Sequence, residues 1–517
     1  MTENNTVSIN PATGEKIGEY PVNTVEELQA AIKRSRQAQA GWGTLPVKSR
    51  TKQIKLIADF MMDNIDRITD IISKENGKTR FDALSTEVAP ALMATDFYCR
   101  NAEKFLKDKK LPLGNVLLFN KRSKIVREPY GVVGVISPWN YPFCIPYSDV
   151  IIALLCGNGV ILKVATAAQA TGYFLKECID AAKLPEGLFS YVNIPGKIAG
   201  DAFLDNGIDK LLFTGSVATG KYLMKKASET LTPLLLELGG NDAMIVCEDA
   251  DLDRAANGAL WGGFSTCGQS CAGVERIYVH KNVYEPFLQK LKVRIERLRI
   301  GPDQDYQVDL GAITLKRQLE KIKLHIDDAL KKGAKIYAQS QPPSAPTEMF
   351  IPAMVLTDVN HDMIMMQEET FGPVVAVMPV ADMEEAVRLA NDSMLGLTGS
   401  VWSRNRKMAE AVARRIKAGV ITVNDHLMSH GMAETPWGGF KQSGFGRTHG
   451  YLGFEEMTQS KTIVHDILPT PKNLWWYPFS KGLYDGMKGG LFFLYGKRDR
   501  LKGLLSLLKI VPRMFQK

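Results

Sequence analysis

Apolar residues along this chain recur with two different periods, and the alternation between the two organises it. Residues 24–40 and 50–75 carry apolar positions three and four apart, Leu56, Ile57, Phe60 and Met61 among them, which predicts helices with one buried face. Short apolar runs then take over: GVVGVIS (131–137), GVILKV (159–164), KLLFTG (210–215) and AMIVCE (243–248). Runs of this length without polar alternation are expected of strands buried on both faces. Helical spacing at 166–182 and 217–228 separates them. Alternating strand and helix predict a parallel sheet with helices on both sides. After residue 250 the alternation resumes, with helices expected at 283–298, 314–332, 383–391 and 405–417 and strands at VVAVMPV and GVITVND. The fold class is therefore α/β, with two sheets in two lobes and a cleft between them as the place for a small ligand. No internal repeat or low-complexity segment interrupts the pattern.

A chain of 517 residues is too long for one ordinary core and implies two or three domains. Its 45% hydrophobic and 23% charged content belong to a soluble globular protein. The start, MTENNTVSIN, lacks the basic and apolar segments of a signal peptide. Seven cysteines, an odd count without framework spacing, fit a reducing cytoplasm, and the lack of a CxxC pair speaks against zinc. The charge is informative once located. Residues 471–517 hold ten Lys and Arg against two Asp, so the whole net charge of +8 sits there and residues 1–470 balance. A neutral body argues against nucleic-acid binding and points to something local at the C-terminus.

Several stretches carry candidate chemistry. In GFSTCGQSCAG, Cys267 and Cys271 lie four apart; two such cysteines could be a redox couple, half of a metal site, buried filler, or a pair containing one nucleophile. In LLFTGSVATGKYL, Gly215 and Gly220 follow an apolar run and precede a helix, where backbone amides can face a pyrophosphate or simply form a tight turn. LLLELGGNDAMIV sets one acid, Glu237, in an apolar run; desolvation there would raise its pKa toward that of a general base, unless it only bonds backbone. ISPWNYPF presents Asn140 between prolines and aromatics, a rigid turn suited either to oxyanion contact or to packing. His426 and His430 are four apart, but no HExxH or carboxylate accompanies them, so no metal site is expected.

Taken in order, ISPWNYPF, FTGSVATG, LELGGN, GQSC, EETFGPV and PWGGFKQSGFGR make the chain resemble the aldehyde dehydrogenase superfamily over residues 6–468. The resemblance implies two Rossmann-like parallel-sheet lobes and a small β bridging or oligomerisation element. The cofactor-binding domain would comprise 1–111 and 130–239, the catalytic domain 240–435 with 436–456 connecting back, and the oligomerisation element 112–129 and 457–468. A homodimer or homotetramer would follow, through a terminal strand added to a partner's sheet. By the same resemblance Cys271, the cysteine of GQSC, is the nucleophile and Cys267 a packing residue. Asn140 and the Cys271 N–H hold the oxyanion, and Glu237 activates the hydrolytic water. The presence of that acid favours hydrolysis over transfer to coenzyme A. The cofactor, NAD or NADP, would meet Trp139, Lys163, Thr166, Gly215, Ser216, Gly220, Glu369 and Phe371. One departure stands out: the family pattern Lys-Pro-Ser/Ala-Glu reads Lys163-Val164-Ala165-Thr166 here. Thr166 removes a carboxylate that would bind the ribose hydroxyls of NAD and repel the 2′-phosphate of NADP, so NADP is expected to be tolerated. His426 and His430 then fall on the loop that shapes the aldehyde entrance.

Residues 471–517 extend beyond the resemblance. NLWWYPF groups Trp475, Trp476, Tyr477 and Phe479, and GGLFFLYG adds Phe492, Phe493 and Tyr495. On a helix over RDRLKGLLSLLKIVPRMF, Arg498, Lys502, Ser506, Lys509 and Arg513 form a polar stripe opposite Leu501, Leu504, Leu505 and Leu508. No uncharged run approaches the roughly 18 residues of a membrane span. The pattern is that of an interfacial helix on an anionic membrane, or of a segment packed on the protein's own body or a neighbouring subunit. A cytoplasmic enzyme attached peripherally to a membrane would suit fatty aldehydes. Succinate semialdehyde or another small aldehyde is the alternative, and an inactive membrane-associated scaffold a remote one.

Overall fold

The structure, a computed structural model, describes residues 5–303, 305–341 and 345–516. Lys517, one of the ten basic residues of the tail, and the first four residues of the chain lie outside the described residues. Two compact units form: residues 1–106 with 129–459, and residues 107–128 with 460–517.

In the first unit the uninterrupted apolar runs become central strands. Val132–Ser137 and Gly159–Val164 are buried along their whole length and pair in parallel. They belong to a six-stranded sheet in the spatial order Gly444–Phe445, Leu234–Glu237, Lys210–Thr214, Val132–Ser137, Gly159–Val164, Phe189–Tyr191, antiparallel only at Gly444–Phe445. Parallel pairing brings Ser137, Val164, Thr214 and Glu237 to one edge, the carboxyl ends of the strands, where ligands of such sheets bind. A second, seven-stranded sheet runs Lys335–Gln339, Met354–Thr357, Val374–Val380, Val274–His280, Asp242–Val246, Thr398–Trp402, Val420–Val423, and is parallel except at the first pair. The fold is thus α/β with two Rossmann-like sheets. A short hairpin of Asn5–Ile9 with Lys16–Pro21 stands apart from both.

The single helix expected over 50–75 is two, Val47–Asp63 and Ile65–Asn76. Asn64 causes the break. Its side-chain amide donates to the Phe60 carbonyl at 2.9 Å, a local bond that competes with the continuing helix.

In the second unit Lys121–Pro129 is the middle strand of a three-stranded sheet, between Thr458–Asp466 and Lys109–Lys110. The tail folds into two helices, Lys481–Tyr495 and Arg500–Ile510, packed through glycines so closely that a Cβ on Gly503 would overlap the Gly489 carbonyl. The polar stripe expected here is shorter than its sequence suggests. Asp499 takes a left-handed φ of 57° before the helix begins, and a 3₁₀ turn from Val511 follows its end, so Arg498 and Arg513 lie off it. Ser506 faces the partner helix at Gly489, and its hydroxyl donates to the Lys502 carbonyl at 3.0 Å. Leu501, Leu505 and Leu508 point outward, 72%, 55% and 53% exposed, while Leu504 is half-buried. Among the described residues no helix is long and apolar enough to cross a membrane.

Candidate active site

Cys271 reaches the site through a strained turn. Thr266, Cys267 and Gly268 all have left-handed φ, 52°, 55° and 67°. For Gly268 this is required twice over, since a Cβ there would collide with the Gly372 carbonyl. For Thr266 and Cys267 the conformation is unfavourable and persists only because the surroundings impose it. The Cys267 thiol donates to the Gly311 carbonyl at 3.1 Å and stays buried. The turn then presents Cys271, and the chain enters the strand Val274–His280.

Three cavities meet at Cys271. The first, about 690 Å³ with its mouth included, is apolar, walled by Pro90, Tyr141, Ile145, Trp261, Leu427 and Trp437. Among the described residues no Lys or Arg lines it. The second is small and holds Glu237, Asp149 and His449 beside Cys271. The third is a groove along the carboxyl edge of the six-stranded sheet. Cys271 keeps some exposed surface because these cavities reach it, although protein surrounds its sulfur. Enclosure, then the charges of Glu369, Asp242 and Glu237, pushes its thiol pKa far up.

Glu237 ends its strand with both carboxylate oxygens buried and, among the described residues, without a close hydrogen bond, the Trp437 side chain lying near enough only to lower its pKa a little. Desolvation raises its pKa well above the carboxylate range; the neighbouring Asp149 charge adds to this and Arg447 opposes it. Space is tight, because a Cβ on Gly438 would lie 2.9 Å from Glu237 Oε1. Asn140 follows Val132–Ser137 in the Pro138 turn, and its amide Nδ2 donates to the Gln269 carbonyl at 3.0 Å, two residues before Cys271. A second N–H of that amide remains for a ligand.

The groove gathers Trp139, Lys163, Gly215, Ser216, Glu369 and Phe371 with Asn140, Glu237 and Cys271. Lys163 is buried at the end of its strand, makes no hydrogen bond or ion pair among the described residues, and is pushed down to about 8 by desolvation. Such an unpaired buried amine fits an anionic or hydroxyl-bearing ligand. Ser216 caps the helix Val217–Ala227, accepting from Thr219 N, so that helix N-terminus faces the groove. Glu369 accepts from Gly240 N at 2.9 Å, and burial raises its pKa. Phe371, at φ 60°, sets its ring edge-on to Trp139 with centroids 5.6 Å apart. These features suit a dinucleotide, whose pyrophosphate the helix N-terminus would be able to hold. Two expected residues stand elsewhere. Gly220 lies inside the helix under Leu238, whose Cδ2 would be 2.7 Å from an added Cβ, and Thr166 is exposed beyond the groove lining. Arg317, Gln318 and Lys321, from the helix Lys316–Lys331, line it unexpectedly. His426 donates to the Ala272 carbonyl at 2.9 Å, and His430 stacks edge-on against Trp437; burial lowers both to about 4, so both are neutral.

The comparisons with known proteins agree with this geometry. The sequence model described as the aldehyde dehydrogenase family matches residues 1–463. A 4,4'-diapolycopene aldehyde oxidase of Methylomonas sp is 37% identical over 495 residues, 96% of this chain and 92% of that protein. A putative succinate-semialdehyde dehydrogenase [NADP(+)] 2 of Mycobacterium ulcerans is 37% identical over 90% of each chain. The crystal structure of a betaine aldehyde dehydrogenase from Staphylococcus aureus in complex with NAD+ superposes with a TM-score of 0.85 at 30% identity, covering 92% of this chain and 94% of its own. The chain belongs to the aldehyde dehydrogenase family and is an oxidoreductase of aldehydes that uses NAD or NADP.

Proposed function

We propose that Cys271 attacks the aldehyde carbon as its thiolate, its proton released to solvent through the cavities that reach it, that the Asn140 amide and the Cys271 N–H bind the resulting oxyanion, and that Glu237 activates the water that releases the carboxylic acid. The observation that carries this reading is the meeting of the three cavities at Cys271: one for the aldehyde, one holding a carboxylate, and one fit for the dinucleotide. When bound, the nicotinamide accepts the hydride that turns the Cys271 thiohemiacetal into a thioester. Trp139, Lys163, Gly215, Ser216, Glu369 and Phe371 would hold the cofactor. The enclosed site excludes bulk water and strengthens each of these interactions. Residues 1–111 with 130–239 are assigned to cofactor binding and 240–435 to catalysis.

The aldehyde is apolar in this reading. A carboxylate at the far end of the aldehyde, as in succinate semialdehyde, would be desolvated without a cation in the cavity that receives it, whereas an alkyl chain gains about 25 cal/mol per Å² buried. Initial rates with dodecanal and succinate semialdehyde, each with NAD and NADP, test it: dodecanal is expected to have the higher kcat/KM. Preference for succinate semialdehyde would leave the chemistry standing and reject the apolar substrate.

NADP is accepted in this reading because the buried, unpaired Lys163 amine faces the groove. Lys163 is charged below about 8 and loses its charge above it. The KM for NADP is therefore expected to rise as pH passes through that value, while the KM for NAD changes less. An NADP efficiency a thousandfold below that of NAD at pH 7 would count against the assignment.

The tail is read as a peripheral membrane contact. Trp475, Trp476 and Phe479 are half or more exposed, as are Leu501, Leu505 and Leu508, and among the described residues seven of the nine basic residues of the tail form no ion pair with a tail acid. Exposed apolar surface beside net positive charge suits an anionic bilayer. The match to the Methylomonas protein leaves about 22 residues of this chain uncovered, so roughly half or more of the 47 tail residues align with that protein. Intact protein is expected to float with anionic liposomes and the 1–470 fragment to stay behind; equal recovery of both in the soluble fraction would assign the tail to assembly. A homodimer or homotetramer built through 112–129 and 457–468 completes the proposal.

A further inference from the structure

We infer that Asn76 and Thr314 are positioning residues that lock the Asn140 amide and the Cys271 loop into one frame, through a closed circuit of hydrogen bonds. The inference rests on the reading of Asn140 as the oxyanion donor.

Asn76 ends the helix Ile65–Asn76 and is 1% exposed. Its side-chain amide donates to the Trp139 carbonyl at 2.8 Å and reaches the Asn140 carbonyl at 3.5 Å. The Asn140 side chain donates onward to the Gln269 carbonyl at 3.0 Å. The Gln269 side chain accepts from Thr314 N at 3.0 Å and donates to the Thr266 carbonyl at 3.2 Å. The Thr314 hydroxyl donates to the Asn76 carbonyl at 2.6 Å, which closes the circuit on the residue where it began. Asn76, Asn140, Gln269, Thr266 and Thr314 are buried, and Trp139 is half-buried.

Neighbouring bonds brace both halves. Lys78, fully buried, donates to the Asn140 carbonyl at 2.9 Å and pairs with Glu87 at 2.7 Å. Glu87 accepts from Phe143 N and Cys144 N at 2.8 and 2.9 Å, at the start of the helix Cys144–Leu155. On the other side Ala312 N donates to the Gly77 carbonyl at 2.8 Å, and Cys267 bonds Gly311. The segment 76–78 therefore touches the oxyanion turn and the stretch 311–314, which itself holds the left-handed turn before Cys271.

The physical consequence is specific. One N–H of the Asn140 amide is spent on Gln269, and that bond fixes the direction of the other. The oxyanion must lie within hydrogen-bond reach of that N–H and of the Cys271 N–H together. Asn76 and Thr314 line neither the cavity nor the groove themselves, and in this inference their effect on rate passes through Asn140. A displacement of about 1 Å at such a site costs roughly 100-fold in rate.

The test is a double-mutant cycle on the full chain. Thr314→Val keeps the shape and removes one hydroxyl donor; Asn76→Ala removes the shared node. Each is expected to lower kcat about 10-fold, with NAD affinity by fluorescence quenching and Cys271 labelling by iodoacetamide unchanged. Asn140→Ala is expected to lower kcat by about 10²–10³-fold. In the Asn140→Ala background Thr314→Val should cost less than about twofold more, because the group it positions is gone. Thr314→Val alone completes the cycle if Asn76→Ala does not fold. Equal losses in both backgrounds, or full kcat in folded Thr314→Val, would overturn the circuit and leave the oxyanion reading intact. A near-normal kcat in Asn140→Ala would instead overturn that reading and the circuit with it.

Discussion

Cys271→Ala is expected to abolish aldehyde oxidation, with a loss on the order of 10⁵–10⁶-fold, while Cys267→Ala retains most of the wild-type kcat. Both sulfurs belong to the same strained loop and both thiols are raised by burial, so simple reactivity does not separate them. Their surroundings do. Cys271 opens onto the aldehyde cavity, the groove and the pocket of Glu237; Cys267 faces none of these and is bonded to Gly311. Without the Cys271 sulfur there is no covalent acyl intermediate and no route for hydride removal. Cys267→Ala removes one weak hydrogen bond and a small buried volume, which is expected to lower the melting temperature without touching the reacting atoms. Steady-state rates and thermal melts of the two variants decide the matter, and the reverse ranking would sink the assignment.

Glu237→Gln should divide the reaction in two. The first turnover is expected to survive as a burst of about one reduced cofactor per active site, after which steady-state turnover falls about 10²–10⁴-fold as the acyl group stays on Cys271. Gln matches Glu in size, so the narrow space beside Gly438 is respected. The pH dependence carries the same information. Glu237 acts as a carboxylate, and its raised pKa means that the active form is lost as pH falls through a value well above the ordinary carboxylate range. Wild-type kcat should therefore show an acid limb in that region, and the limb should vanish in Glu237→Gln. A variant that loses its burst and its steady state alike would place Glu237 in thiol activation instead.

The sequence was readable wherever burial writes a period or an uninterrupted run. Strands such as Val132–Ser137 and Gly159–Val164 are covered on both faces, so every position is apolar and the run is visible. Cys271, Glu237 and Asn140 were legible through ordered motifs, and the structure brings them together. Less legible were groups whose meaning comes from distant contacts. Arg317 and Lys321 read as the solvated side of an amphipathic helix, and only the fold turns that side to the groove. Asn76 and Thr314 are ordinary polar residues until chain segments more than 200 residues apart meet. The left-handed turn was hidden as well, because Thr266 and Cys267 have no preference for that conformation. Gly220 misled in the opposite direction, since a glycine after a strand serves helix packing as readily as phosphate approach.

Enclosure of Cys271 also bears on how the protein survives between turnovers. Peroxide attacks thiolates far faster than thiols, so a nucleophile stored with its proton resists oxidation to sulfenic acid. Burial raises the Cys267 thiol too, which disfavours the thiolate that disulfide formation requires. Two cysteines that resemble a redox couple on paper are thus biased toward the reduced form, and aerobic storage is expected to erode activity slowly.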